Sequence, residues 1–104
     1  MSCTTERGGV CVITAAGEFD VDTAQAMREI LDEIAHSTAQ KTIIDCTRIT
    51  TADPALLHVL LDADRAHHMI LAGPLPHQVD ALLTHTATAT PFLIADSVEA
   101  ARSL

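Results

Sequence analysis

The apolar positions change period along the chain. Val10-Cys11-Val12-Ile13, following Gly8-Gly9, is a compact apolar run and predicts a strand. Ala16-Gly17 predicts a turn, after which Glu18-Phe19-Asp20 resumes extended chain. Ala24, Met27, Ile30, Leu31 and Ile34 then recur at helical spacing, with Arg28, Glu29, Asp32 and Glu33 on the opposite face. Asp22, with Gln25 behind it in the manner of a capping box, predicts the start of that helix, and His36 to Gln40 release the chain.

Thr42-Ile43-Ile44-Asp45-Cys46 predicts a second strand, with Thr50 and Thr51 as strand-end residues. Asp53-Pro54 is a strong helix start. Aspartate accepts from free backbone N–H groups, and proline suits the first helical position, where its missing donor has no intrahelical partner. Leu57, Leu60, Leu61 and Asp64 share one stripe of that helix; His58, Asp62 and Arg65 lie elsewhere, and Leu56 fits either a surface or a core face. Met69-Ile70-Leu71-Ala72 is a third run, closed by Gly73-Pro74; Pro76 opens a helix carrying Val79, Leu82 and Leu83. Thr84 to Thr90 reads as a loop, Pro91 to Ala95 as the last strand, and Ser97 as the cap of a final helix from Val98 to Ser103. Strands alternating with helices, the later strands apolar on both faces, predict an α/β domain with a largely parallel sheet. Residues 1–104 read as a single domain, with 1–8 as a flexible N-terminus.

Composition removes several functions. Fourteen acidic against six basic residues give a formal charge of -8, which opposes phosphate backbones and anionic lipid surfaces. Nucleic acid and direct membrane binding are therefore not expected. No apolar stretch reaches membrane-spanning length, the N-terminal residues lack a signal-peptide pattern, and the expected address is the cytoplasm. The three cysteines, Cys3, Cys11 and Cys46, follow no metal-binding spacing and read as plain thiols, Cys3 exposed and the other two inside strands, although a redox pair stays open.

Catalytic signatures are missing as well. There is no phosphate-cradling glycine motif, no zinc motif and no nucleophile elbow, and His58 with Asp62 offers only two weak metal ligands. A phospho-receiver reading would use Asp45 but needs a late lysine, and the one lysine, Lys41, precedes that strand. No enzyme activity, cofactor or metal is expected.

Five segments in order resemble the STAS domain family, which includes bacterial anti-sigma-factor antagonists. Gly17-Glu18-Phe19-Asp20 is similar to the family's Gly-Glu-Leu-Asp, and Thr42 to Thr47 to its apolar strand ending in Asp-Leu-Ser. Asp53 with Leu57, Val59, Leu60 and Leu61 follows its Asp-Ser-Ser-Gly-Leu-Gly-Val-Leu-Leu register. Ala72-Gly73-Pro74 and Ser97-Val98-Glu99-Ala100-Ala101 are similar to its Val-Gly-Pro and its terminal helix. The resemblance, from Val10 to Leu104, implies an α/β STAS fold: a mostly parallel sheet of four or five strands built from successive strand–helix units, helices mainly on one face.

The resemblance also implies a binding module. Family members dock onto an anti-sigma factor with a histidine-kinase-type ATPase fold, and that kinase switches them off by phosphorylating the first serine of Asp-Ser-Ser-Gly. Here that position is Pro54, the next serine is Ala55 and the glycine is Leu56, so the phosphosite is lost. Thr50 and Thr51 are the nearby hydroxyls that could replace it. The expected partner-binding surface is Asp20, Asp22, Thr50, Thr51, Asp53, Pro54, Ala55, Leu56 and His58. The alternative is a STAS scaffold or accessory subunit of a stress-sensing assembly or a lipid-transport ABC complex. Homodimerisation is left open, and a small-ligand sensor has no anion cradle here beyond helix N-termini.

Overall fold

A computed structural model describes residues 1–84 and 92–104. Its centre is one sheet of five strands in the order β1-β2-β3-β4-β5: β1 Ser2–Glu6, β2 Val10–Phe19, β3 Lys41–Ala52, β4 Met69–Ala72 and β5 Leu93–Ala95. The helices are α1 Val21–Ala35, α2 Pro54–Ala66, α3 His77–Thr84 and α4 Val98–Ala101. β1 is antiparallel to β2, and β2 through β5 are parallel neighbours. Each parallel step is made by a strand, a crossover and the next strand, so sequence order becomes spatial order. This is the mostly parallel α/β sheet of successive strand–helix units expected above.

Alternation along the strands divides the core into two layers. Cys11, Ile13, Ala15, Ile44, Cys46, Met69 and Leu71 face α1, α2 and α3 and meet Met27, Leu31, Leu57, Leu60 and Val79. Val12, Ile43, Ile70, Ala72 and Ala95 face the other way, where α4 contributes Ala101 and Val98. Three helices thus cover one face and a single short one covers part of the other. β4 is buried throughout, as its unbroken apolar run requires. β5 is not: Leu93 and Ile94 are exposed.

Several elements depart from the sequence reading. Residues 2–6 are not a loose end but an edge strand, registered from Ser2 opposite Thr14 to Glu6 opposite Val10. Gly8 and Gly9, both at positive φ, make the tight return. A bidentate ion pair from Arg102 to Glu6, at 2.9 and 2.8 Å, ties this strand to the end of α4. Ala16-Gly17 is not a turn either. β2 runs straight through it, and Gly17 at φ +83° lies between two register shifts against β3. A glycine in the left-handed region absorbs a bulge as readily as it turns a chain. The last helix stops at Ala101, earlier than expected, with Ser97 accepting from the Ala100 N–H as its cap. Of the threonine-rich stretch read as a loop, Thr84 instead ends α3, and residues 85–90 lie outside the described residues, as does Pro91.

Thr42 is the one fully buried polar side chain among the described residues. Its hydroxyl is hydrogen-bonded to Nε2 of His67, the residue that ends α2, and its N–H donates to His68 O at 2.9 Å. These bonds fix the α2–β4 connection on the start of β3. Burial, with His68 alongside, lowers the His67 pKa. On acidification the unfolded imidazole therefore takes up its proton first, and the stability conferred by neutral His67 is lost as pH falls below the ordinary value of about 6.5. Urea midpoints at about pH 7.5 and about pH 5.5 are expected to differ less in His67→Gln than in the parent chain.

Candidate functional site

The C-terminal ends of β2 and β3 reach well beyond β4, because β3 pairs with β4 only from Thr42 to Asp45. The two strands stay together to the pairs Glu18–Thr51 and Phe19–Ala52. One further bond, from the Asp53 N–H to Phe19 O at 2.8 Å, closes the ladder where both chains turn into helices. The result is two helix N-termini side by side, each opened by an aspartate.

Asp20 caps α1. Its Oδ1 accepts from the Thr23 N–H at 2.8 Å and the Thr23 hydroxyl at 2.9 Å, which holds its pKa below the usual carboxylate value. Asp22, the cap expected from sequence, is instead an exposed residue of the first turn, where its charge suits the helix dipole. Asp53 caps α2 as expected, accepting from the Ala55 N–H at 2.9 Å, with Pro54 at the first helical position. The Pro54 ring is exposed, Asp53 and Ala55 are half-buried, and His58 is exposed one turn further along the same face. Thr50 and Thr51 are exposed at the end of β3. Cys11 and Cys46 are buried and Cys3 is exposed, as expected of thiols in and outside strands.

Leu56 does not join this surface. It is only 1% exposed and packs in the layer shared by α1, α2 and α3. Starting the helix at Pro54 turns positions 56, 57, 59 and 60 inward together. An apolar contact by Leu56 with a partner is therefore ruled out, and its role is to anchor the first turn from below.

An open hollow of about 270 Å³ sits between the two caps, lined by Glu18, Phe19, Asp20, Thr51, Ala52, Asp53 and Gln78. Its charged residues are all acidic. Val21, 61% exposed, adds an apolar residue next to Asp20. Glu18 and Gln78 were not anticipated: Glu18 lies in the quoted Gly-Glu-Phe-Asp segment, while nothing in the sequence connects Gln78 of α3 with the end of β2.

A smaller gap of about 50 Å³ lies at the α1–α2 seam, beside Leu31, Val59, Ala63 and His67. Arg28 donates to Asp62 across this seam at 2.8 Å, with Arg65 at 3.8 Å on the same carboxylate, which lowers the Asp62 pKa. Asp62 is thereby engaged by arginines rather than poised with His58 for a metal. Among the described residues no group of three or more metal-ligating side chains occurs, and no helix is long and apolar enough to cross a membrane.

With this geometry established, comparison with known proteins assigns the family. The profile described as Mlab, STAS domain matches residues 3–84, and the chain belongs to this STAS family. Among solved structures, the unphosphorylated anti-sigma factor antagonist SpoIIAA superimposes with a TM-score of 0.80 at 15% identity, covering 94% of this chain and 89% of that one. An anti-sigma factor antagonist from Mycobacterium paratuberculosis gives 0.74 at 20% identity, covering 98% and 92%. A chain of the stressosome, described as a signal integration and transduction hub, gives 0.69 at 16% identity, covering 98% and 93%. At these identities the likeness is one of fold. A search of curated proteins finds no match by sequence.

The placement of Leu56 is directly measurable. Leu56→Ala is expected to lower stability by about 2–5 kcal/mol in urea denaturation, because it opens a cavity under the first turn of α2. A surface leucine would cost less than about 0.5 kcal/mol.

Proposed function

We propose that this chain is a protein-binding module of the anti-sigma-factor-antagonist kind rather than an enzyme. It docks through the rim around Asp20 and Asp53 onto an anti-sigma factor with a histidine-kinase-type ATPase fold. The observation that carries this reading is the pair of adjacent capped helix N-termini with the Pro54 ring exposed between them and solvent. Family membership and the anti-sigma factor antagonists among the structural neighbours support it.

On this reading the docking residues are Asp20, Asp22, Thr50, Thr51, Asp53, Pro54, Ala55 and His58, joined by Glu18, which lines the hollow, and by the exposed Val21. The cap carboxylates of Asp20 and Asp53 are each followed by an exposed apolar residue, Val21 and Pro54. A fitting partner therefore presents an apolar spot within a basic rim, the usual arrangement of a specific interface. The two caps are rigid, so the surface is formed before the partner arrives and little ordering entropy opposes binding. The compartment that goes with this reading is the cytoplasm, where an ATP-dependent partner operates.

Pro54 changes the regulation. A phosphate at a helix start in the middle of such a surface adds nearly two negative charges and bulk. Proline offers no hydroxyl, so this off-switch is lost and binding is constitutive or governed by other means. Absence of a switch equally suits a subunit held permanently in a larger assembly, and the stressosome neighbour favours that second reading. Co-purification with a stress-sensing assembly or an ABC ATPase, and not with an anti-sigma factor, would select it.

Calorimetric titration against the kinase-fold anti-sigma factors of the same genome is expected to show saturable binding to at least one. Asp22→Lys is expected to weaken that binding by about tenfold, with a reduced dependence on salt. Failure to bind any of them removes the first reading.

Incubation with the bound kinase and ATP is expected to leave the intact mass unchanged. A gain of about 80 daltons mapped to Thr50 or Thr51 would instead move the switch onto β3.

A further inference from the structure

Two of the three cysteines meet on adjacent strands. Cys3 of β1 is registered opposite Ile13 of β2, and Thr5 opposite Cys11. Directly opposed residues of an antiparallel pair point to the same face, and residues two apart on one strand do so as well. Cys3, Thr5, Cys11 and Ile13 therefore form one four-residue patch on the side of the sheet covered by α1, with the two cysteines as its diagonal. The Cys11 sulfur lies 3.9 Å from the Thr5 hydroxyl. Partial burial raises the Cys3 pKa, and the neighbouring Cys11 and the Glu33 carboxylate of α1 push it the same way. Cys46 is not part of this patch: it is buried on β3, with its thiol pushed up to about 12 by burial and by Asp45.

We infer that Cys3 and Cys11 form a reversible disulfide that clips β1 onto β2. Diagonal neighbours on paired strands are about 7–8 Å apart at Cα, slightly beyond the usual disulfide span. Closing the bond therefore requires β1 to shift toward Cys11. It is an edge strand, paired on one side only, and its return passes through Gly8 and Gly9 at positive φ, so the shift has somewhere to be absorbed. Cys3, being exposed, is the residue an oxidant reaches first.

A low-molecular-weight disulfide such as oxidised glutathione supplies the oxidising equivalents. The Cys3 thiol loses its proton to solvent, and the thiolate attacks one glutathione sulfur and expels a glutathione thiolate. The Cys11 thiol then loses its proton, and its thiolate attacks the Cys3 sulfur and expels the second glutathione thiolate. Both leaving groups take up the released protons. Two electrons pass from the protein to glutathione, and excess reduced thiol reverses the sequence.

The test is mass spectrometry of the full chain after incubation with oxidised glutathione. The expected product is monomeric and lighter by two hydrogens. Arg7 lies between the two cysteines, so trypsin should release residues 1–7 joined to residues 8–28, and dithiothreitol should separate them. Cys3→Ser is expected to abolish the loss of hydrogens. A stable glutathione adduct on Cys3 without the internal link, a bond from Cys3 to Cys46 or to a second chain, or no reaction at all would overturn the inference.

Discussion

Parallel pairing of β2 with β3 is the constraint on which the candidate site rests. The pair is held from Val10–Lys41 to Phe19–Ala52, far past the point where β3 leaves β4. Its last bond, from the Asp53 N–H to Phe19 O, leaves no slack between the ends of the strands and the starts of α1 and α2. Both helix N-termini are consequently placed by backbone hydrogen bonds as well as by the packing of Leu56 beneath the first turn of α2. A one-residue slip of either strand would carry its side chains to the other layer of the core, so that Ile13 of β2 or Ile44 of β3 would leave the layer it shares with α1, α2 and α3.

What the sequence made legible follows from how local each signal is. Asp53-Pro54 was readable because a capping side chain and a proline ring both act within one turn. The choice between Asp20 and Asp22 was not, since either can accept from the following backbone. It is decided by where β2 stops, and that is decided by β3. Gly17 failed for a similar reason: a bulge and a turn make the same demand on φ, and only the partner strand distinguishes them. Leu56 illustrates the same limit in a helix. Periodicity marks one buried stripe, but α2 lies against the sheet between α1 and α3, so its buried arc is wider than a single stripe. β1 was missed because a polar edge strand carries no core-facing alternation; its β-branched threonines and the glycine return were the only local hints.

Of the expected docking residues, all but Leu56 lie on or beside the rim, and the reason is geometrical. The sequence motif supplied residues from two separate segments, 20–22 and 50–58, and parallel strands deliver their C-terminal ends to the same edge of a sheet. Gln78 arrives at this edge by a different route, because α3 packs against β3 and brings Gln78 into the hollow beside Thr51 and Ala52. No spacing rule in the sequence encodes that contact.

The two ends of the sheet are mechanically distinct. At the rim, rigidity comes from main-chain pairing and two aspartate caps, and the surface charge is acidic. At the opposite end, β1, β3 and α4 converge through side chains. Arg102 pairs with Glu6, and Lys41 donates to Arg102 O at 2.8 Å. These contacts are exposed, so each contributes little and yields easily to salt or to a local chemical change. A covalent clip in β1 would alter this weaker end first. Its influence on the rim would have to travel along β2, which carries a bulge around Gly17 between the cysteine patch and Asp20. A bulge interrupts the regular ladder and bends the strand, so a small displacement at the cysteine patch meets two register shifts before it reaches Asp20. Redox state at one end and partner docking at the other are therefore expected to be nearly independent properties of the same strand.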